Sequence, residues 1–119
     1  MLFRSLGISY KPNVKDIQLS PAEVIIKKLQ SLKLNVKIYD PYYKSTTIFD
    51  IKTEDDLSKA VTDSDAIVIV TAHDEFKCLE PDFFLSKMKI PIVIDARGVI
   101  DIRAAKKAGI VFYGLGRGN

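Results

Sequence analysis

AIVIV, Ala66 to Val70, is an unbroken apolar run, and PIVID, Pro91 to Asp95, follows the same pattern further along the chain. A strand with one wet face alternates apolar and polar residues, whereas a continuous β-branched run marks a strand covered on both faces. Such strands belong to parallel sheets. Working outward, β-rich stretches at Leu2 to Ser9, Asn35 to Tyr39 and Ile110 to Tyr113 complete a set of five expected strands.

The intervals between them read as helices. In SPAE, Ser20 is placed to cap, Pro21 to occupy the first helical position and Glu23 to close a capping box. Ala22, Ile25, Ile26, Leu29 and Leu32 then recur at helical spacing and form the face expected to pack on the sheet. A second helix is expected through EDDLSKAV, capped by Thr53. A third is expected near PDFFLSKM, and a last one near DIRAAKKAG, stopping at Gly109.

This order predicts one α/β domain over residues 1–119, a doubly wound, Rossmann-like parallel sheet of about five strands with helices on both faces. Counting strands in chain order, right-handed crossovers favour the arrangement 3-2-1-4-5, with the chain reversing between the first and fourth. Ligands of such sheets bind beyond the carboxyl ends of the strands at the reversal. SYKPN and DARG would then line one crevice, making Lys11 and Arg97 a candidate anion clamp: a mobile point charge facing a planar fork suited to phosphate oxygens. The alternatives are two surface cations, or an Arg97 paired with Asp95 or Asp101.

Composition narrows the partners. The chain has 119 residues, 47% hydrophobic and 28% charged, with a formal charge of +3. Its basic residues are interspersed with acidic ones, so neither nucleic acid nor a membrane surface is called for. One cysteine, Cys78, and one histidine, His73, give no disulfide and no metal-ligand cluster, and no metal site is assigned. No secretory signal or bilayer-spanning apolar run is evident, and a cytoplasmic location is expected.

Taken together, LGISYKPNVKDIQLSPAEVIIKKL, VKIYDP, AIVIVTAHDEF, VIDARGVID and the closing GIVFYGLGRG resemble the C-terminal, UDP-binding domain of the UDP-glucose/GDP-mannose dehydrogenase family, over nearly the whole chain. The resemblance implies an enzyme that oxidises a nucleotide sugar twice, from alcohol to acid, using two NAD molecules. The NAD domain lies N-terminal in such enzymes and the catalytic cysteine in a central region. It also implies that Tyr10, Lys11 and Arg97 contact a UDP-sugar. The chain departs from the family pattern at Gln18, where an arginine usually reaches the NAD of a neighbouring domain. His73 stands where tryptophan is common, and no function is drawn from it.

Other features carry less. G-x-G-x-x-G followed by a helix is absent, and GLGRG at the end of the chain reads as a turn. Cys78 lacks glycine-rich surroundings and reads as a packed structural thiol rather than a nucleophile. His73, Asp74 and Glu75 read as capping and solvated loop groups, and Asp40 as a loop cap before Pro41. No catalytic residue is assigned, and no NAD is expected to bind this chain alone, since the NAD-binding and central domains are absent from it. The expectation is a UDP-sugar-binding domain of such a dehydrogenase, catalytically incomplete alone, and one reading makes it part of a split enzyme whose NAD domain and cysteine belong to a separate polypeptide. The alternative is a free-standing nucleotide-sugar binding module, or a remnant of a truncated gene, without a reaction of its own.

Overall fold

The expected alternation of strands and helices is present. The computed structural model describes residues 2–9, 13 and 21–114. The strands and helices run β1 (Leu2–Leu6), α1 (Pro21–Ser31), β2 (Asn35–Tyr39), β3 (Thr47–Ile48), β4 (Ile51–Lys52), α2 (Leu57–Val61), β5 (Ala66–Ile69), α3 (Asp74–Lys77), α4 (Pro81–Lys87), β6 (Ile92–Asp95), α5 (Ile102–Lys107) and β7 (Val111–Gly114). The proposed Ser20 cap lies outside the described residues.

Five strands form one sheet in the order β2-β1-β5-β6-β7, and every pairing is parallel. The unbroken AIVIV run is explained by two cores. Ile67 and Ile69 join Leu6, Val93, Phe76 and Phe84 on one side of the sheet. Ala66, Val68 and Val70 join Phe3, Ile38, Ala22 and Ile26 on the other. Alternate residues of one strand therefore enter opposite layers, and both must be apolar. Helix α1 supplies the second layer, while α2, α3, α4 and α5 supply the first.

The expected strand order is corrected by this sheet. In the expected arrangement the third principal strand lay outside β2; in the structure that strand, β5, lies on the far side of β1. The outer edge of β2 is taken by the segment leading out of a small β3–β4 hairpin. The Glu54 amide donates to the Ile38 carbonyl at 2.9 Å, and Tyr39 bridges to Glu54 in parallel. With that edge occupied, the chain crosses to the open edge of β1, and the reversal falls between β1 and β5.

Three local expectations also change. Helix α2 is capped by Asp56, whose carboxylate accepts the Lys59 amide at 3.2 Å. Thr53 is instead buried, its hydroxyl donating to the Tyr43 carbonyl and accepting the Thr46 amide. Leu32, assigned to the packed face of α1, is 58% exposed because the helix has ended at Ser31. Cys78, expected to be packed, is exposed at the end of α3.

The sheet carries a buried cation. Arg4 in β1 is buried; its Nε donates to the Ala60 carbonyl at 2.7 Å and its Nη1 to the Phe3 carbonyl. Burial lowers its hold on the proton, while Glu54 and Asp65 act in the opposite sense.

Candidate functional site

The loops that follow β1, β2, β5 and β6 meet at the carboxyl edge of the sheet, around the reversal. Gly7, first after β1, has φ +97, and a Cβ placed there would lie 2.5 Å from both Cβ and Oγ1 of Thr71. Glycine is needed for this close approach and for the positive φ. Thr71 in turn donates from Oγ1 to the Ser9 carbonyl at 2.6 Å, so the exits of β1 and β5 are joined directly.

Asp40 closes β2 and is fully buried. Its Oδ1 accepts the Tyr42 amide at 2.9 Å, the two-residue turn that a loop-capping aspartate makes. Its Oδ2 accepts the Ile8 amide at 2.8 Å and faces His73 Nε2 at 2.9 Å. His73, also buried, receives the Asn13 amide on Nδ1 at 2.8 Å, and Asn13 Oδ1 accepts the Asp74 amide. Sequence reasoning passed over Asn13 and Thr71 because neither residue type marks a site in isolation.

Arg97 lies two residues beyond β6. Asp95 shapes its loop by accepting the Arg97 amide at 3.0 Å on Oδ1 and the Ile100 amide at 2.7 Å on Oδ2, across Gly98 with φ 72. The Arg97 side chain turns back toward the reversal, and its Nε donates to the Val70 carbonyl at 2.9 Å. Of the two carboxylates named as alternative partners, Asp101 caps α5 through the Arg103 and Ala104 amides, and Asp95 takes backbone amides. Arg97 as a residue is exposed, at the carboxyl ends of β5 and β6. Tyr10, Lys11 and Gln18 lie outside the described residues.

The protein family model described as "UDP-glucose/GDP-mannose dehydrogenase family, UDP binding domain" matches residues 5–102. The chain belongs to this family. It is 35% identical over 96% of its length to the UDP-N-acetyl-D-mannosamine dehydrogenase of Pyrococcus horikoshii. It is 34% identical over 94% of its length to the UDP-glucose 6-dehydrogenase TuaD of Bacillus subtilis. It spans 25% of each of those two proteins. Among solved structures, a UDP-D-ManNAc dehydrogenase from Pyrococcus horikoshii superimposes with a TM-score of 0.83 at 34% identity, covering 98% of this chain and 26% of that one. An NDP-N-acetyl-D-galactosaminuronic acid dehydrogenase from Methanosarcina mazei gives 0.86 at 25% identity, covering 98% and 24%. The fold is thus that of the UDP-binding domain of this dehydrogenase family.

NAD, the cofactor such a family implies, does not fit the described loops in the usual dinucleotide mode. Where a pyrophosphate would approach the first glycine, Thr71 already stands against Gly7. Where an acid at the end of the second strand would hold a ribose, Asp40 is buried and spends its oxygens on Ile8, Tyr42 and His73. Among the described residues no group of three or more His, Cys, Asp or Glu could hold a metal ion. None of the described helices is long and apolar enough to cross a membrane.

Proposed function

We propose that this domain binds the nucleotide part of a UDP-sugar, within an enzyme that oxidises the sugar to its uronate with NAD. The observation that carries this reading is Arg97, which lies within the family match and whose side chain is bonded back to the end of β5, beside the reversal. A guanidinium offers paired donors to diphosphate oxygens. Lys11 adds a second cation and Tyr10 an aromatic face from the segment after β1. Both assignments rest on the family resemblance of SYKPN.

On this reading the domain holds substrate and leaves the redox chemistry elsewhere. Hydride transfer requires a nicotinamide fixed against the sugar carbon, and the second oxidation a thiolate that captures the aldehyde. Those groups come from polypeptide outside these 119 residues. Gln18, in place of the usual arginine, supplies no charge toward NAD. A separate polypeptide carrying the NAD and thiol functions is the proposed partner. A cytoplasmic setting accompanies the proposal, and the exposed lone thiol of Cys78 is compatible with a reducing compartment.

Calorimetric titration with UDP, UDP-glucose, GDP and NAD tests the proposal. UDP or its sugar should bind more tightly than NAD, and added salt should weaken the contact, because an exposed phosphate pairing is screened. Binding of NAD without binding of UDP would overturn it.

A further inference from the structure

One buried polar assembly at the carboxyl edge is not accounted for by the clamp. Asp40 from the end of β2, His73 from the loop before α3 and Asn13 from the segment after β1 meet there, though 33 and 60 positions separate His73 from its two partners. The imidazole is 1% exposed and packs between the rings of Tyr42 and Phe76, with centroid separations of 5.1 Å and 5.6 Å. Its two hydrogen bonds determine its chemical form. Nδ1 accepts the Asn13 N–H, so it carries no proton, and a neutral imidazole must then carry its proton on Nε2, which donates to Asp40 Oδ2. With both nitrogens engaged, the ring has nothing to offer a ligand directly.

What it holds is a loop. Asn13 sits at φ 59, a conformation asparagine tolerates, and is held by the His73 ring and, through Oδ1, by the Asp74 amide at 2.9 Å. Four residues earlier, the Ser9 carbonyl is held by Thr71. Ser9 and Asn13 are therefore both bonded to residues between Thr71 and Asp74, and Tyr10, Lys11 and Pro12 stand between them in the sequence.

We infer that His73 is a positioning residue for nucleotide binding, holding through Nδ1 the segment that carries Tyr10 and Lys11 while Asp40 keeps the imidazole in the tautomer that can do so. This role rests on the UDP-sugar reading of the site. It differs from simple core packing because the two nitrogens have separate jobs: the Nε2 bond serves the buried carboxylate, and the Nδ1 bond serves the ligand loop.

Two substitutions separate those jobs. Glutamine at position 73 retains a donor near the Nε2 position but loses the acceptor for Asn13; asparagine retains an acceptor near Nδ1 but loses the donor to Asp40. His73→Gln should weaken UDP binding about tenfold, the effect of one hydrogen bond, with a small change in stability. His73→Asn should lower stability more, yet recover UDP affinity to within about threefold of wild type. Affinity that instead follows stability through both variants would overturn the positioning role.

Two measurements on the ligand-free wild type stand independently of the variants' folding and of UDP. The histidine ring 15N spectrum should show the neutral Nε2–H form, and the Asn13 amide should be protected from hydrogen exchange. An Nδ1–H tautomer or an unprotected Asn13 amide would overturn the latch itself. Absence of UDP binding by the wild type would overturn the UDP reading and the positioning role with it, and the two ligand-free readouts tell that failure apart from failure of the latch.

Discussion

Arg97 Nε donates to the Val70 carbonyl across 2.9 Å, so the loop after β6 is bonded to the end of the neighbouring strand. This bond engages Nε of the guanidinium and holds the side chain at the carboxyl edge of the sheet. A lysine has a single head group and cannot both hold the carbonyl and present paired donors to a diphosphate.

Arg97→Ala is accordingly expected to cost about 1.5–3 kcal/mol of UDP binding, the range for a hydrogen bond to a charged group. Arg97→Lys should recover only part of it, and Lys11→Ala should lose a similar or smaller amount. The exposed position of Arg97 predicts an unchanged fold by circular dichroism. Calorimetry showing wild-type UDP affinity in both alanine variants would leave Arg97 and Lys11 as surface cations.

Gly7→Ala tests the junction between β1 and β5. The new Cβ would meet Thr71 Cβ and Oγ1 at 2.5 Å and the Thr71 amide nitrogen at 2.8 Å, on a backbone with φ +97. Overpacking together with an unfavourable φ should cost about 2–4 kcal/mol, read from the urea midpoint. Adding Thr71→Ala should restore little, because the Cβ and backbone of residue 71 remain. Substantial recovery in the double variant would show that the threonine hydroxyl alone makes glycine necessary.

Much of this architecture was legible because its signals are local. AIVIV declares a strand buried on both faces and PIVID a sheet strand whose Ile92 and Ile94 side is half-buried, and Arg97 was found because DARG closes that strand. Strand order was not legible in the same way. It depends on which edge of β1 stays open, and that is decided by backbone bonds from Glu54 to β2 in a segment without a strong pattern. Thr53 misled for a related reason: a threonine before a helical pattern is a good cap, but here its hydroxyl closes the turn between Tyr43 and Thr46. The partnership of Asp40, His73 and Asn13 joins three loops, and no local feature of any one of them announces it.

Tyr39 gives stability a dependence on alkaline pH. Its hydroxyl donates to Glu75 Oε1 at 2.6 Å, and its ring is 1% exposed. Burial first, then the Glu75 bond and nearby carboxylates, hold the phenol's proton well above the usual tyrosine range. In the unfolded chain the phenol titrates near pH 10, so its contribution is full below about pH 10 and is lost as the pH rises from there through the folded-state value. Tyr39→Phe should cost about 1 kcal/mol near neutral pH, one hydrogen bond. That difference from wild type should shrink in denaturation series above about pH 10. A constant difference across that range would mean that the Glu75 bond is not what the phenol contributes.

Cys78 separates substrate holding from oxidation. The thiol is exposed at the end of α3, so it should react fully with a disulfide reagent in the folded protein, one thiol per chain. Because it fills no core position, Cys78→Ser should change stability by no more than about 0.5 kcal/mol, as surface substitutions do. It should also leave UDP affinity unchanged. Exposure does not make it a nucleophile for a sugar aldehyde, since that chemistry needs the thiolate and the nicotinamide held together against one carbon. The purified chain, mixed with NAD and UDP-glucose, should therefore form no NADH, as should its serine variant. Adding a polypeptide that carries the NAD and thiol functions should restore turnover equally to both, measured by absorbance of NADH. Turnover by the single chain that disappears in Cys78→Ser would assign the oxidation to this domain and to this cysteine.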